Sequence, residues 1–319
     1  MKTNIILFFL VVCTVGVFAQ QLPSYSQYML NNVGLNPAYA GENGPLEIIM
    51  GRRTQWVGFP GAPVTMFAGI SRALGKKGFY HSWHGIGAYV ESDDEGIFAT
   101  KSVSVMYAWH KRLKHNYNIS IGASVGGTSY GMSNYLQSSF DPAFASTIPV
   151  FIFPIFNPGI RLFSRRLYFD LAAKQVLDNR TVNIDGVKEI GVKQTLSPEL
   201  FFTVGRQFTS PNYAWTVTPS FQLLSSAAYF PTIDLNVLVY YHKAVGVGIS
   251  YRYGDAIVMM IQFRYFNKMV LGLSFDYSVS QFSNGGSNSR EVMFGYTPYG
   301  STAPPTPGSH IAQCPGFDL

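Results

Sequence analysis

From Ala244 to Tyr253 the chain alternates. Val245, Val247, Ile249, Tyr251 and Tyr253 fall on one face of an extended strand, and Ala244, Gly246, Gly248, Ser250 and Arg252 fall on the other. The next two segments repeat the pattern. Ile257, Met259, Ile261, Phe263 and Tyr265 oppose Val258, Met260, Gln262, Arg264 and Phe266; Met269, Leu271, Leu273, Phe275 and Tyr277 oppose Val270, Gly272, Ser274 and Asp276. Gly254-Asp255 and Asn267-Lys268 supply tight hairpin turns between them. One face is apolar and the other small, polar or charged, as an antiparallel transmembrane β-barrel requires with lipid outside and a lumen inside. A soluble sandwich also alternates. Two features favour the barrel: strands keep coming, and aromatic residues cluster at their ends. An arginine facing lipid at the bilayer midplane costs roughly 2–4 kcal/mol, which Arg252 and Arg264 avoid by taking the other face.

Upstream, alternation predicts strands at Leu46–Arg53, Val64–Arg72, Gly85–Ser92, Phe98–His110 and Tyr117–Thr128. Less regular alternation adds Asn157–Phe163, Leu167–Lys174 and Pro198–Arg206. Trp215–Leu223 and Thr232–Tyr241 follow, and Glu291–Tyr296 closes the set after the three strands described first. The total is about 14, an even number, as single-chain bacterial barrels have. With the N-terminus in the periplasm, the long connections Ser129–Phe156, Gln175–Ser197 and Ser280–Arg290 face outward. The short turns Ser164–Arg166, His242–Lys243 and Asn267–Lys268 then face the periplasm, the usual asymmetry. Ala73–His84 is a longer exception on the periplasmic side.

The ends of the chain do not alternate. Lys2, the apolar run Ile5 to Val12 and Val17-Phe18-Ala19 read as a secretory signal peptide over residues 1–19, with the mature chain starting at Gln20. Residues 20–45 form a polar, Asn- and Tyr-rich segment that can plug the lumen, pair at the barrel foot or hang in the periplasm. The barrel is expected over 46–297. The tail 298–319 contains Pro298, Pro304, Pro305, Pro307 and Pro315, which disfavours strand and helix and predicts an extended arm.

Composition narrows the function. Of two cysteines, Cys13 leaves with the signal peptide, so Cys314 has no internal partner and a disulfide framework is excluded. The net charge is +6, one unit of it from Lys2, and the cations are spread over turns and the inner face rather than along a helix; nucleic acid is excluded as a partner. Aromatics at 15% suit girdles at two membrane interfaces. His81 with His84 and His110 with His115 lack the third and fourth ligands of a zinc site, and are expected at interfaces or turns. Asp93-Asp94-Glu95-Gly96 is expected as a solvated acidic hairpin connection. No metal or cofactor is implied. Neither a Gly-x-Ser-x-Gly elbow nor a phosphate loop is present. A barrel hydrolase assembles its groups only in three dimensions.

Pro23-Ser24-Tyr25-Ser26-Gln27-Tyr28-Met29 is followed by Asn36-Pro37-Ala38-Tyr39-Ala40-Gly41, then by Arg53-Thr54-Gln55-Trp56-Val57-Gly58-Phe59-Pro60-Gly61-Ala62-Pro63 with Thr65 beyond. Taken together these motifs resemble the front end of the PorP/SprF family of outer-membrane proteins in Bacteroidetes. The resemblance implies a non-enzymatic outer-membrane barrel tied to type IX secretion. Its implied partners are the subunits of the periplasmic secretion ring, or a large gliding adhesin whose export and surface retention it supports. It brings no catalytic residues.

Alternation does not explain Tyr25 to Gly41, so Tyr25, Gln27, Tyr28, Asn36, Pro37 and Tyr39 are candidates for partner binding, with Arg53, Gln55 and Trp56 at the first loop. That loop also reads as a rigid turn built by its Gly and Pro residues. The rival function is a pore for small solutes or a hydrophobic ligand, lined by Asp234, Arg252, Arg264 and Asp276. The same four residues otherwise read as paired charges filling a closed lumen.

Overall fold

The computed structural model describes residues 23–42, 46–74, 82–114, 117–132, 151–164, 166–177, 198–226, 229–266, 268–279 and 288–298. The signal peptide and nearly all of the Pro-rich tail lie outside these residues. The strands are β1 (Glu47–Thr54), β2 (Val64–Leu74), β3 (Ser82–Glu95), β4 (Phe98–Arg112), β5 (Asn118–Met132), β6 (Phe151–Phe163) and β7 (Leu167–Lys174). They continue with β8 (Glu199–Arg206), β9 (Trp215–Ser226), β10 (Tyr229–Tyr241), β11 (Val245–Arg252), β12 (Ala256–Tyr265), β13 (Met269–Ser278) and β14 (Ser289–Tyr296). Phe208–Thr209 is a short continuation of β8 that pairs with β9.

The strand pairings are all antiparallel, and all but the last join neighbours in sequence. β14 pairs with β1, Ile48 opposite Tyr296 and Thr54 opposite Arg290, and this closes a 14-strand barrel. Closure removes the sheet edge, whose unpaired backbone groups lipid could not satisfy.

The two faces separate as alternation predicts. On β4, Val103 and Val105 are 58% and 57% exposed; on β11, Val247 and Ile249 are 58% and 56% exposed. These values describe side chains that meet lipid, not water. Their inward neighbours Ser104, Met106, Ser250 and Arg252 are buried.

The lumen is filled by the non-alternating segment. Residues 23–42 carry a turn at Ser26–Leu30, the short helix α1 (Asn32–Leu35) and a 3-10 turn (Pro37–Tyr39). Pro37 opens that turn, and the Asn36 side chain caps it by accepting from Ala38 N at 2.9 Å. Tyr25, Tyr28, Met29, Leu30, Val33 and Tyr39 pack with Ile49, Phe67, Tyr89, Leu238 and Met293 of the wall in one apolar cluster.

The segment runs lengthwise. Tyr25 and Ser26 reach Glu91, Arg252, Asp276 and Glu291, toward the rim of the barrel on which the long connections lie. Ala40 and Gly41 lie against His110, Trp83 and Gly85 near the short-turn ends. From Gly85 to Glu91 along β3 is roughly 20 Å at strand rise, so the plug spans much of a bilayer core.

Three expectations are corrected. The acidic hairpin at Asp93-Asp94-Glu95 is instead the end of β3, and the turn is Gly96-Ile97. His110 is not interfacial but buried in the lumen, while His84 does sit on the outward face with Nδ1 2.6 Å from Tyr107 Oη; His81 and His115 lie outside the described residues. The Ala73–His84 connection shortens from both sides, because β2 runs to Leu74 and β3 starts at Ser82.

A plug clamped at both ends

The upper clamp forms where β1, β10, β11, β13 and β14 bring charge to one level of the lumen. Arg53 Nη2 contacts Asp276 Oδ2 at 2.7 Å and Arg53 Nη1 lies 3.4 Å from Glu291 Oε2. Arg252 lies 3.4 Å from Asp234 and 3.6 Å from Asp276. All five side chains are at most 4% exposed.

Ser26 enters this network as its shared ligand. Its hydroxyl accepts from Arg53 Nη1 at 2.6 Å and from Arg252 Nη2 at 3.3 Å, and donates to Asp276. The two oxygens of Glu291 accept the backbone N–H groups of Ser26 and Gln27 at 2.9 and 2.8 Å. Charge-assisted bonds of this kind are about twice as strong as neutral ones. Around them, Tyr25 donates to Glu91 at 2.5 Å, and Tyr28 Oη lies 2.6 Å from Ser220 Oγ. Gln262 donates to Gln27 at 3.2 Å and Asn31 donates to Tyr89 Oη at 2.9 Å.

The lower clamp centres on Arg161 of β6. Its guanidinium pairs with Glu42 of the plug at 2.7 Å and with Asp170 of β7 at 2.6 Å. It also donates to Tyr39 Oη, which donates in turn to Asp170 at 2.8 Å. The same cation lies 4.0, 4.7 and 5.3 Å from the ring centroids of Tyr39, Phe163 and Tyr168. Beside it, Trp83 stacks on His110 at 4.7 Å, and His110 Nε2 lies 2.8 Å from the carbonyl of Ala40.

Two glycines let the foot of the plug approach. A Cβ at Gly85 would lie 1.8 Å from Ala40 O, and one at Gly122 would lie 2.6 Å from Ala38 N. Gly41, at φ +71°, makes the sharp exit. Gly85→Val should therefore displace the foot while leaving the pairing of β3 intact. The check is the protease sensitivity of residues 38–42 in the folded barrel; unchanged protection would refute the close approach.

Most of the predicted site residues thus meet inside the barrel. Tyr25, Gln27, Tyr28, Asn36, Pro37, Tyr39 and Arg53 are buried and bonded to, or packed on, the wall, and in this conformation they offer no surface to another molecule. Gln55 and Trp56 stand on the rim, where Trp56 is 40% exposed. Asp234, Arg252 and Asp276 face inward and belong to the upper clamp; Arg264 faces inward with its guanidinium 4.1 Å from the ring of Tyr240. Glu42, Arg161, Asp170 and Glu291 were not singled out from sequence. The signal available was parity: Arg161, Asp170 and Glu291 are charges at inward positions of their strands.

The first loop is welded in place. Gln55 N donates to Pro63 O at 2.9 Å, Val57 N to Asn288 O at 2.8 Å, and Gly96 N to Gly61 O at 2.8 Å. Trp56 holds φ +43°, rare for a bulky residue. Phe59 is 42% exposed at the loop's tip.

Between plug and wall the described residues leave small gaps. One of about 20 Å³ lies against Tyr168, Asp170 and Phe201, and one of about 10 Å³ lies beside Tyr25 and Gln222. Each is water-sized.

Several solved barrels are similar in outline. The TodX deltaS2S3 mutant monoaromatic hydrocarbon channel aligns over 86% of this chain and 93% of its own, at 8% identity and TM-score 0.49. The Pseudomonas putida toluene transporter TodX aligns over 86% and 94%, at 10% identity and TM-score 0.46. KdgM porin aligns over 79% and 98%, at 9% identity and TM-score 0.39. No curated protein matches in sequence. The model of the type IX secretion system membrane protein family PorP/SprF matches residues 17–296, spanning the plug and every strand of the barrel, and the chain belongs to that family.

Proposed function

We propose that the protein is a sealed, non-enzymatic outer-membrane component of type IX secretion that works as a rigid docking body rather than a conduit. The observation that supports this most is the plug, held at both ends by buried charge networks, with the two gaps described beside it each no larger than a water or two. A plug ordered across the lumen closes it to free diffusion in this conformation. A docking body gains a solid core and a fixed rim.

The partner is a secretion-ring subunit on the periplasmic side or a large exported adhesin. The rim loop Gln55–Pro63 offers Trp56 and Phe59 on a backbone tied to both neighbouring connections, the pre-ordered aromatic presentation that makes interface hot spots. The tail 298–319 is a second proposed contact.

Affinity purification of the tagged protein from native outer membrane, with mass spectrometry of what stays bound, tests this. Ring subunits or one large adhesin should be retained. Trp56→Ala with Phe59→Ala should lower recovery of a surface partner by about tenfold or more, and removal of residues 298–319 should lower recovery of a periplasmic one. A barrel that reproducibly purifies alone in mild detergent would overturn the docking role.

A further inference from the structure

The outward face of the barrel carries two arginines where the sheet closes. Arg52 of β1 and Arg290 of β14 are both exposed, and both occupy lipid-facing positions of their strands. In register, Arg52 is opposite Val292, and Arg290 is opposite Thr54. The two are therefore diagonal cross-strand neighbours on one face, roughly 7–8 Å apart at the backbone. The long side chains bring the guanidinium groups within reach of one small anion.

Neither arginine has a hydrogen-bond, ion-pair or ring partner among the described residues. Arg206, by contrast, stacks on Phe208 at 5.0 Å and Lys111 approaches the ring of Trp109 at 6.0 Å, while the outward Arg72 and Lys101 have no second lysine or arginine as a diagonal cross-strand neighbour. The outward carboxylate nearest by register is Asp94. It lies on β3, opposite Val64, two strands from Thr54, and Lys101 is its diagonal neighbour. Two like charges thus sit side by side without a counter-charge among the described residues.

Their surroundings set the chemistry of what fits. Arg52 is flanked across the strands by Met66 and Val292, and Leu273 lies beyond Val292. Met50, on the same face one pleat further in, continues the apolar band. Both arginines lie within two residues of the strand ends that bear the long connections, at headgroup rather than mid-chain depth. A ligand that fits has an anionic head bidentate for guanidinium and an apolar body lying along the wall below. Phosphate is the group arginine forks match best.

We propose that Arg52 and Arg290 form a lipid-phosphate site astride the β1–β14 closure, binding the phosphorylated headgroup of a membrane lipid with its acyl chains along Met50, Met66 and Val292. The site rests on the membrane-barrel architecture and not on the secretion role, so the two stand or fall separately. Its effect is to fix a lipid beside the rim loop, whose Trp56 follows Arg52 by four residues.

The test is native mass spectrometry of the full-length barrel released from detergent, titrated with bisphosphorylated lipid A, with dephosphorylated lipid A, and with phosphatidylglycerol. Wild type should retain the phosphorylated lipid. Arg52→Gln with Arg290→Gln should lose it by about tenfold or more, and Arg72→Gln with Arg206→Gln, the same loss of two charges on the same face at the opposite rim, should keep it. Equal retention of phosphatidylglycerol would support the site and make a glycerophospholipid its ligand; preference for lipid A would support it with a glycolipid. Undiminished binding by the double variant would overturn the proposal. So would equal binding of dephosphorylated lipid A by wild type, a comparison that needs no variant to fold.

Discussion

Replacing Arg161 by alanine should destabilise the folded barrel by about 3–5 kcal/mol, the range for breaking a buried ion pair from one side. The side chain is 1% exposed and holds two carboxylates, Glu42 and Asp170, that are nearly as buried. Without it both face each other across Tyr39 with no cation between them. The loss should show as a fall in the temperature at which the barrel converts from its fast-migrating folded form to the unfolded one on unheated gels. Removing the carboxylates as well separates charge from packing. Arg161→Met with Glu42→Gln and Asp170→Asn should recover much of the loss, because the uncompensated charges are then gone. A single variant as stable as wild type, or a triple variant no better than the single, would mean that the cluster does not hold the foot of the plug.

The barrel was legible because lipid imposes a strict rule on each strand, and the rule survives into the sequence. β12 and β13 fall within one residue of the segments read from alternation. Alternation reads β6 only from Asn157 onward, and Pro154 interrupts the segment above it. Proline lacks the N–H a central strand needs, so the segment above Asn157 did not read as strand. In the structure β6 runs from Phe151, but its register with β7 covers only Gly159–Phe163, while β5 pairs along the whole length. A strand paired on one side over that stretch can hold proline. The acidic run at Asp93 misled for a related reason: charge suggested a solvated turn, yet Asp93 is inward on β3, where its carboxylate accepts from Thr65 at 2.6 Å.

The plug was not legible in the same way. Its contacts are made one side chain at a time to residues far along the chain, such as Ser26 to Asp276 and Tyr39 to Asp170. No period marks such a segment, and sequence left its place open among lumen, foot and periplasm. Inward parity pointed to Asp234, Arg252 and Asp276, but not to what they hold. Arg161 escaped because its partner Glu42 lies in the segment without a pattern. What could be read was the negative: a stretch rich in Tyr and Asn that alternation fails to explain. The structure accounts for those residue types, since Tyr25, Tyr28, Asn31 and Tyr39 each pair a packing body with a polar tip that finds a partner in the wall.

The conductance of the barrel should depend on that segment alone. The full-length protein reconstituted in a planar bilayer should be silent, and the protein lacking residues 20–42 should conduct. Removing the plug takes away the apolar filling around Tyr28, Met29 and Leu30, but it does not strand the clamp residues in lipid. Arg53, Arg252, Asp276 and Glu291 would line a water-filled lumen, where solvent replaces Ser26 and Gln27 as their partners, and Arg53 and Arg252 keep their pairing with Asp276. The strand ladder, closed through β14 and β1, is untouched. The open form should be sensitive to salt and charge at its upper constriction, so that Arg53→Gln in the plugless barrel shifts its ion selectivity toward cations. A conducting full-length protein would sink the sealed-body reading and return the chain to the class of pores. A silent deletion variant that still migrates as a folded barrel would mean that something other than residues 23–42 closes the lumen. Silence before deletion and conductance after it would assign the seal to the plug and leave docking as the use to which a closed barrel is put.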